Sequence, residues 1–175
     1  MGASVSAVRE QVADYVELTK PRIALVVLVT TFAGMWLAAG TSLTLSLIVP
    51  TLLGTWLASA SAGALNNYID RDIDQLMSRT SHRATAAGRV SAESVLYFGL
   101  ALAGACFVVL ASTSNLFAAA LAMGTIYFYV VIYTMWLKRH SDLCTEIGGV
   151  AGALPPIIGW AAVTGSIGAP ALLLF

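Results

Sequence analysis

The sequence predicts an all-α protein that crosses the membrane several times as a helical bundle. Of its 175 residues, 58% are hydrophobic and 10% are charged, whereas a soluble domain carries about 25% charged residues. The apolar residues form runs close to the roughly 20 residues that a membrane-spanning helix needs. These runs are too long and too continuously apolar for the strands of a membrane barrel, which leaves a helical bundle.

Five apolar runs qualify as complete spans. They lie at about residues 23–39, 43–65, 95–112, 116–137 and 147–163. A sixth run starts at Ala169 and is cut off at the last residue, Phe175. Residues 1–22 form a polar N-terminal segment and residues 66–93 an Asp-rich connector, so that residues 23–175 form the membrane domain.

The charged side chains are segregated along the chain. All nine basic and nine acidic residues fall in three blocks, 9–22, 70–93 and 138–146, and the connectors between these blocks have none. This alternation is expected if the spans cross in turn, and lysine and arginine mark the cytoplasmic side. We therefore expect a multi-pass protein of the cell inner membrane whose N-terminus and Asp-rich connector are cytoplasmic. The net charge of zero gives no case for nucleic-acid binding.

An amide and two carboxylates follow the second span at a regular spacing. Asn66, Asp70 and Asp74 are four residues apart, so on a helix they lie along one face. Such oxygen ligands suit Mg²⁺, which commonly bridges carboxylates to substrate phosphates. Asp72 points elsewhere and is expected to support the site or pair with an arginine. The alternative is a solvated helix end in which acidic and basic residues alternate.

Basic residues flank this cluster in all three charged blocks. Lys20 and Arg22 stand on either side of Pro21 at the start of the first span, and further basic side chains follow at Arg79, Arg83, Lys138 and Arg139. Guanidinium and ammonium groups suit phosphate, so these residues are candidate substrate-binding groups around a diphosphate. The alternative is anchoring at the cytoplasmic interface, and both roles can hold at once.

The fifth span carries an unusual set of small residues and prolines. We expect the double proline at Pro155 and Pro156 to break the helix, which is tolerated only where the freed backbone is buried or lines a cavity. Trp160 would form one wall of that cavity. Interface packing of small residues is the alternative.

Together these motifs resemble a known family. The spacing of Asn66, Asp70 and Asp74 after a span resembles the first Asp-rich motif of the UbiA-type intramembrane prenyltransferases. Further strings narrow the resemblance to the protohaem IX farnesyltransferase branch: LTKPRI at 18–23, NNYIDRDIDQLMSRT at 66–80, GRVS at 88–91, YTMWLKR at 133–139 and IGGVAGALPPIIGWAAVTG at 147–165.

The resemblance implies an enzyme that transfers the farnesyl group of farnesyl diphosphate to a vinyl group of haem B, giving haem O. It implies Asn66, Asp70 and Asp74 as catalytic residues that also bind Mg²⁺ with the diphosphate. Haem B would be a substrate rather than a cofactor. The expected partners are farnesyl diphosphate, haem B, the lipid bilayer and a downstream enzyme of haem A biosynthesis.

The family has nine spans and a second Asp-rich motif after the sixth span. We therefore expect this chain to be the N-terminal part of a longer enzyme and to be inactive alone. Two other functions stay open: a related prenyltransferase with a quinone or chlorin acceptor, and a fragment of a cation transporter. The acidic residues lie at the interface rather than at the midplane where transport sites are usual, which disfavours the transporter.

Overall fold

The protein is a helical bundle. A computed structural model describes residues 2–175, and within that range no strand occurs. The α-helices are α1 (Gly2–Leu18), α2 (Pro21–Ala39), α3 (Leu45–Leu76), α4 (Ala92–Thr113), α5 (Leu116–Tyr127), α6 (Lys138–His140), α7 (Cys144–Thr164) and α8 (Ala169–Leu172). A π-helix, Phe128–Leu137, continues α5 into α6, and a short 3₁₀-helix, Gly40–Ser42, follows α2.

Five helical segments are long and apolar enough to cross a membrane. They are Pro21–Ser42, Leu45–Leu76, Ala92–Thr113, Leu116–His140 and Cys144–Thr164. The five predicted spans are therefore confirmed. The expected start of a sixth span corresponds to the single turn of helix α8 at Ala169–Leu172.

The connector expected at 66–93 is helical over its first eleven residues. Helix α3 continues from the span to Leu76, and the chain turns extended at Met77. Residues 66–76 contain neither glycine nor proline, so nothing in the local sequence ends the helix at the edge of the apolar run. Asp70 and Asp74 consequently stand on a regular helix rather than in a loop.

Helix α1 lies beside the rest of this connector. The Arg89 guanidinium bonds to Asp14 at 2.8 Å and to Glu17 at 3.1 Å. The Tyr15 ring meets Phe98 of α4 edge-on, with ring centroids 5.0 Å apart. The N-terminal segment 1–22 is therefore mostly a helix held against the bundle.

Helices α2 and α7 approach so closely that glycine is required at two positions. A Cβ on Gly34 would lie 1.9 Å from the Pro156 carbonyl oxygen, and a Cβ on Gly159 would lie 2.1 Å from the Thr31 carbonyl oxygen. Small residues commonly bring helices this close in membranes.

The double proline does not break α7, which runs unbroken from Cys144 to Thr164; the expected break was wrong. Pro155 borders a cavity, and the Pro156 carbonyl lies against Gly34 of α2. Neighbouring helices permit proline inside a membrane helix in this way.

We predict that Gly159→Ala destabilises the bundle, because the added methyl group overlaps the Thr31 backbone. Overpacking typically costs roughly 1–3 kcal/mol, and backbone cannot move aside as a flexible side chain can. Gly104→Ala is the matched control, since a Cβ there meets nothing within 4 Å. Thermal unfolding in detergent measures both variants. Equal melting temperatures for Gly159→Ala and the wild-type protein would contradict the close α2–α7 contact.

Candidate active site

The predicted oxygen cluster forms on successive turns of α3. Asn66, Asp70 and Asp74 are 4%, 1% and 3% exposed. The Asn66 amide nitrogen donates to Asp70 Oδ2 at 2.7 Å, so these two side chains share a face as the spacing predicts. Charged side chains are seldom buried this fully unless they pair with another charge or coordinate a metal. The burial argues against a merely solvated helix end.

Two lysines from distant parts of the chain close on this cluster. Lys20 Nζ, at the start of α2, donates to Asn66 Oδ1 at 2.6 Å. Lys138 Nζ, where the π-helix ends, donates to Asp70 Oδ2 at 2.6 Å. The polar ends of three spans therefore meet at one end of the bundle, as the segregation of charge predicts.

An arginine from the connector pairs with the last member of the cluster. The Arg83 guanidinium donates to Asp74 Oδ2 at 2.7 Å, and its side chain is 24% exposed. The Thr80 hydroxyl donates to the Asp74 backbone carbonyl at 3.2 Å. The turn after α3 thus folds back so that a cation lies beside the second carboxylate.

Lys20 reaches Asn66 through an unusual backbone turn. Its φ of +50° is the only positive φ at a non-glycine residue within 2–175, and this turn lies directly on α3 at Gly63. A Cβ on Gly63 would be 2.9 Å from the Leu18 carbonyl oxygen and 3.4 Å from Lys20 Cγ and Cδ. Glycine at this position is therefore what lets the turn approach α3.

The environment of Lys20 weakens its hold on a proton. Burial lowers the pKa of Lys20 to about 8, and repulsion from Arg83 and Lys138 acts in the same direction. The attraction of Asp70 and Asp74 opposes both effects. Lys20 is therefore charged below about pH 8. An anion beside it would raise its pKa and so favour the charged form.

The cluster fits a hard divalent cation. Asp70 Oδ1 is buried and accepts no hydrogen bond from the described residues, so a buried anionic oxygen is left for a ligand. The cluster offers amide and carboxylate oxygens, which suit Mg²⁺. No group of three or more His, Cys, Asp or Glu able to hold a metal occurs within 2–175. Further oxygens would have to come from elsewhere, such as substrate phosphates.

The remaining predicted basic residues lie outside this cluster. Arg139 forms a bidentate pair with the exposed Asp72, at 3.0 and 3.2 Å, which confirms that Asp72 faces an arginine. Arg22 and Arg79 are exposed, and no side-chain hydrogen bond or ion pair joins either of them to another described residue. The structure therefore brings Lys20, Arg83 and Lys138 to the cluster but not the other three.

An apolar cavity of about 280 Å³ begins beside the cluster. Lys20 is among its lining residues, and the walls below come from α2, α3, α5, the π-helix and α7. Apart from Lys20, the lining is mostly small or aliphatic: Ile23, Val27, Thr55, Ala58, Ser59, Ala62, Gly63, Thr125, Ile126, Tyr129, Gly148, Ala151, Gly152, Pro155 and Ile158. Trp160 is not in this lining, so the expectation that it forms a wall was wrong.

Thr134 also belongs to this cluster, although it was not among the predicted site residues. Thr134 is fully buried and lies 3.3 Å from the Asn66 amide nitrogen. It lies in an apolar run that forms a π-helix, so α-helical periodicity does not predict which way its side chain faces. Two signals were available: Thr134 is a polar residue four positions before Lys138 in that run, and it lies in the string YTMWLKR at 133–139.

Residues 27–175 match the UbiA prenyltransferase family. The chain belongs to this family. The match covers the five spans almost completely and includes the whole oxygen cluster on α3. The resemblance of the Asp-rich motif to the family is thereby confirmed.

Curated relatives carry the name protohaem IX farnesyltransferase. The chain is 51% identical to the one from Gloeobacter violaceus over 93% of its own length and 53% of the relative. The identity is 52% with that of Trichodesmium erythraeum, over 93% and 49%, and 44% with that of Agrobacterium fabrum, over 100% and 55%. The chain spans about half the length of the curated relatives it matches.

Two solved structures share the fold. One is of a digeranylgeranylglyceryl phosphate synthase, with a TM-score of 0.81 and 17% identity, over 94% of this chain and 57% of that one. The other is a UbiA homologue from Archaeoglobus fulgidus bound to GPP and Mg²⁺, with a TM-score of 0.69 and 18% identity, over 88% and 55%. The predicted UbiA-type bundle is confirmed.

We predict that Lys20 of the metal-free protein titrates near pH 8, because burial and nearby cations lower its pKa. Lys138 is the only other lysine of this chain, so the NMR spectrum of the ¹³C-methylated protein contains few lysine signals. The signal of Lys20 is assigned by its loss in Lys20→Arg. A Lys20 midpoint close to the ordinary lysine value of about 10.4 would contradict the buried position.

Proposed function

We propose that the complete protein transfers the farnesyl group of farnesyl diphosphate to a vinyl group of haem B, giving haem O. The observation that carries this proposal is the position of Lys20, which bonds to Asn66 and also lines the apolar cavity. Lys20 thus lies between a site suited to a charged diphosphate and a chamber suited to an apolar chain. The name shared by the curated relatives supports the choice of farnesyl and haem.

The polar end of the site would bind the diphosphate. Asp70 and Asp74 supply two negative charges, and Lys20, Arg83 and Lys138 can supply three positive ones, so the cluster tolerates an anion. As the allylic carbon–oxygen bond breaks, negative charge grows on the leaving diphosphate. Fixed cations aimed at that charge stabilise the transition state more than the ground state.

Asn66, Asp70 and Asp74 would hold Mg²⁺ against the diphosphate. The ion, when bound, supplies Lewis-acid neutralisation of the leaving oxygen atoms. The UbiA homologue with GPP and Mg²⁺ supports this pairing of ion and substrate. The chain's own contribution is to present the buried Asp70 Oδ1 and to keep three cations within reach of the phosphate oxygens.

The apolar cavity would take the farnesyl chain. Its small side chains leave room for an isoprenoid, and the apolar wall excludes water that would otherwise capture the allylic carbon. Haem B is lipophilic as well, and an intramembrane chamber lets both substrates approach from the bilayer.

The cluster would face the cytoplasm, where Arg22, Arg79 and Arg139 stay proposed substrate-binding residues. They are exposed, so they would meet the diphosphate before it reaches the buried oxygens. Haem O would then pass to a downstream enzyme of haem A biosynthesis.

We predict that Asp70→Asn and Asp74→Asn each lower haem O formation by at least about a hundredfold, the scale for loss of a group that stabilises transition-state charge. Membranes with the complete protein, farnesyl diphosphate, haem B and Mg²⁺ provide the assay, read by chromatography of extracted haems.

The matched control for these variants is Asp72→Asn. Asp72 is exposed and pairs with Arg139, so its loss should leave most of the activity. Folded protein is quantified for each variant. Full activity of both Asp70→Asn and Asp74→Asn would contradict the assigned site, and the absence of haem O from wild-type protein would contradict the proposed reaction.

We predict that Gly152→Val shifts the preference of the complete protein from farnesyl to geranyl diphosphate by about tenfold, because the added side chain fills part of the cavity and leaves less room for the longer chain. Gly152 lines the cavity, and a Cβ there meets nothing within 4 Å. Gly149→Val is the matched control on the same helix, equally open but outside the cavity lining. Identical preferences in the two variants would contradict the placement of the chain.

A further inference from the structure

The amide of Asn66 has a single orientation that its neighbours permit. The Lys20 ammonium can only donate a hydrogen bond and an ionised Asp70 carboxylate can only accept one. Lys20 therefore faces Asn66 Oδ1 at 2.6 Å, and Asp70 Oδ2 faces Asn66 Nδ2 at 2.7 Å. If the amide were turned by 180°, its nitrogen would face the Lys20 ammonium, a second donor, and its oxygen would face the Asp70 carboxylate, a second acceptor.

Thr134 supplies the second acceptor for that amide nitrogen. The Thr134 hydroxyl donates its only proton to the Tyr129 backbone carbonyl at 2.8 Å. Its oxygen must then accept, and it lies 3.3 Å from Asn66 Nδ2. Both hydrogens of the amide nitrogen are thereby used, one by Asp70 and one by Thr134.

Thr134 lies within the π-helix, Phe128–Leu137. Its side-chain hydroxyl bonds to the backbone carbonyl five residues earlier in that helix. The next site residue along this segment is Lys138, which pairs with Asp70. The π-helix and the residue directly after it therefore present a hydroxyl to Asn66 and an ammonium to Asp70.

We propose that Thr134 is a positioning residue for the metal site: its hydroxyl holds the Asn66 amide so that Nδ2 keeps Asp70 Oδ2 in place and Asp70 Oδ1 stays available to the ion. This inference rests on the proposed function. Without the hydroxyl, one buried N–H of Asn66 has no partner, which is costly. Asn66 Nδ2 then keeps only its bond to Asp70 Oδ2, so the Asp70 carboxylate is held less firmly and its Oδ1 is less well placed for the ion.

Binding of Mn²⁺ in place of Mg²⁺ tests the proposal without requiring turnover. The complete protein is titrated with Mn²⁺ in the presence of an unreactive thio analogue of farnesyl diphosphate, and free Mn²⁺ is read by electron paramagnetic resonance. Thr134→Val should weaken Mn²⁺ binding about tenfold, the lower end of the range for groups that orient metal ligands. Thr134→Ser keeps the hydroxyl and should bind like the wild-type protein.

Thr31→Val is the matched control. Thr31 is also fully buried, but its hydroxyl has no hydrogen-bond partner within 2–175, so its loss should leave Mn²⁺ binding unchanged. Thermal unfolding of the metal-free proteins checks folding, and Thr134→Ala replaces Thr134→Val if the valine variant does not fold.

Three outcomes would overturn the proposal. Wild-type affinity in Thr134→Val, or in Thr134→Ala where that variant replaces it, would show that the hydroxyl does not position the ligand. Equal weakening in Thr134→Ser would assign the effect to packing of the methyl group. Absence of Mn²⁺ binding to the wild-type protein would contradict the proposed function itself, and this positioning role with it.

Discussion

The ion pair between Lys138 and Asp70 is the interaction on which the rest of the site depends. Asp70 is almost completely buried, and a buried carboxylate without a partner would be very costly. Its cation comes from the end of another span, 68 residues away. The charge on α3 can therefore be buried only when the polar ends of these spans come together.

Two local features of the backbone allow the polar ends of these spans to meet. The missing side chain at Gly63 lets the turn before α2 lie on α3, which brings Lys20 to Asn66. The π-helix carries Thr134, and Lys138 follows directly after it, so these two side chains reach Asn66 and Asp70 of α3. Because both features act on the Asn66–Asp70 pair, small changes of backbone at either place would alter the geometry of the oxygen cluster.

Much of this arrangement could be predicted from the sequence. Long apolar runs determined the five spans, and the i, i+4 spacing of Asn66, Asp70 and Asp74 predicted their presentation on one helix. Segregated charges predicted that Lys20 and Lys138 would share an end of the bundle with them. These features are local or compositional, so a single chain reveals them.

Other features depend on tertiary contacts that no local pattern encodes. The turn with the positive φ of Lys20 lies against Gly63 of α3, and the unbroken α7 lies with Pro156 against Gly34 of α2. Neither these features nor the π-helix follows from a local sequence pattern. Tertiary contacts also separate Arg83, which folds back onto Asp74, from Arg139, which pairs with Asp72 on the exposed side. The sequence pattern did not distinguish these two arginines, and both were predicted to bind the substrate.

Locating the metal tests the assigned oxygen cluster most directly. Anomalous diffraction from crystals of the complete protein with Mn²⁺ and an unreactive farnesyl diphosphate analogue measures its position. We expect a peak at a coordination distance of about 2.1 Å from Asp70 Oδ1, with the diphosphate bound beside the metal. Absence of a metal peak at Asn66, Asp70 and Asp74, with the analogue bound, would contradict the assigned site.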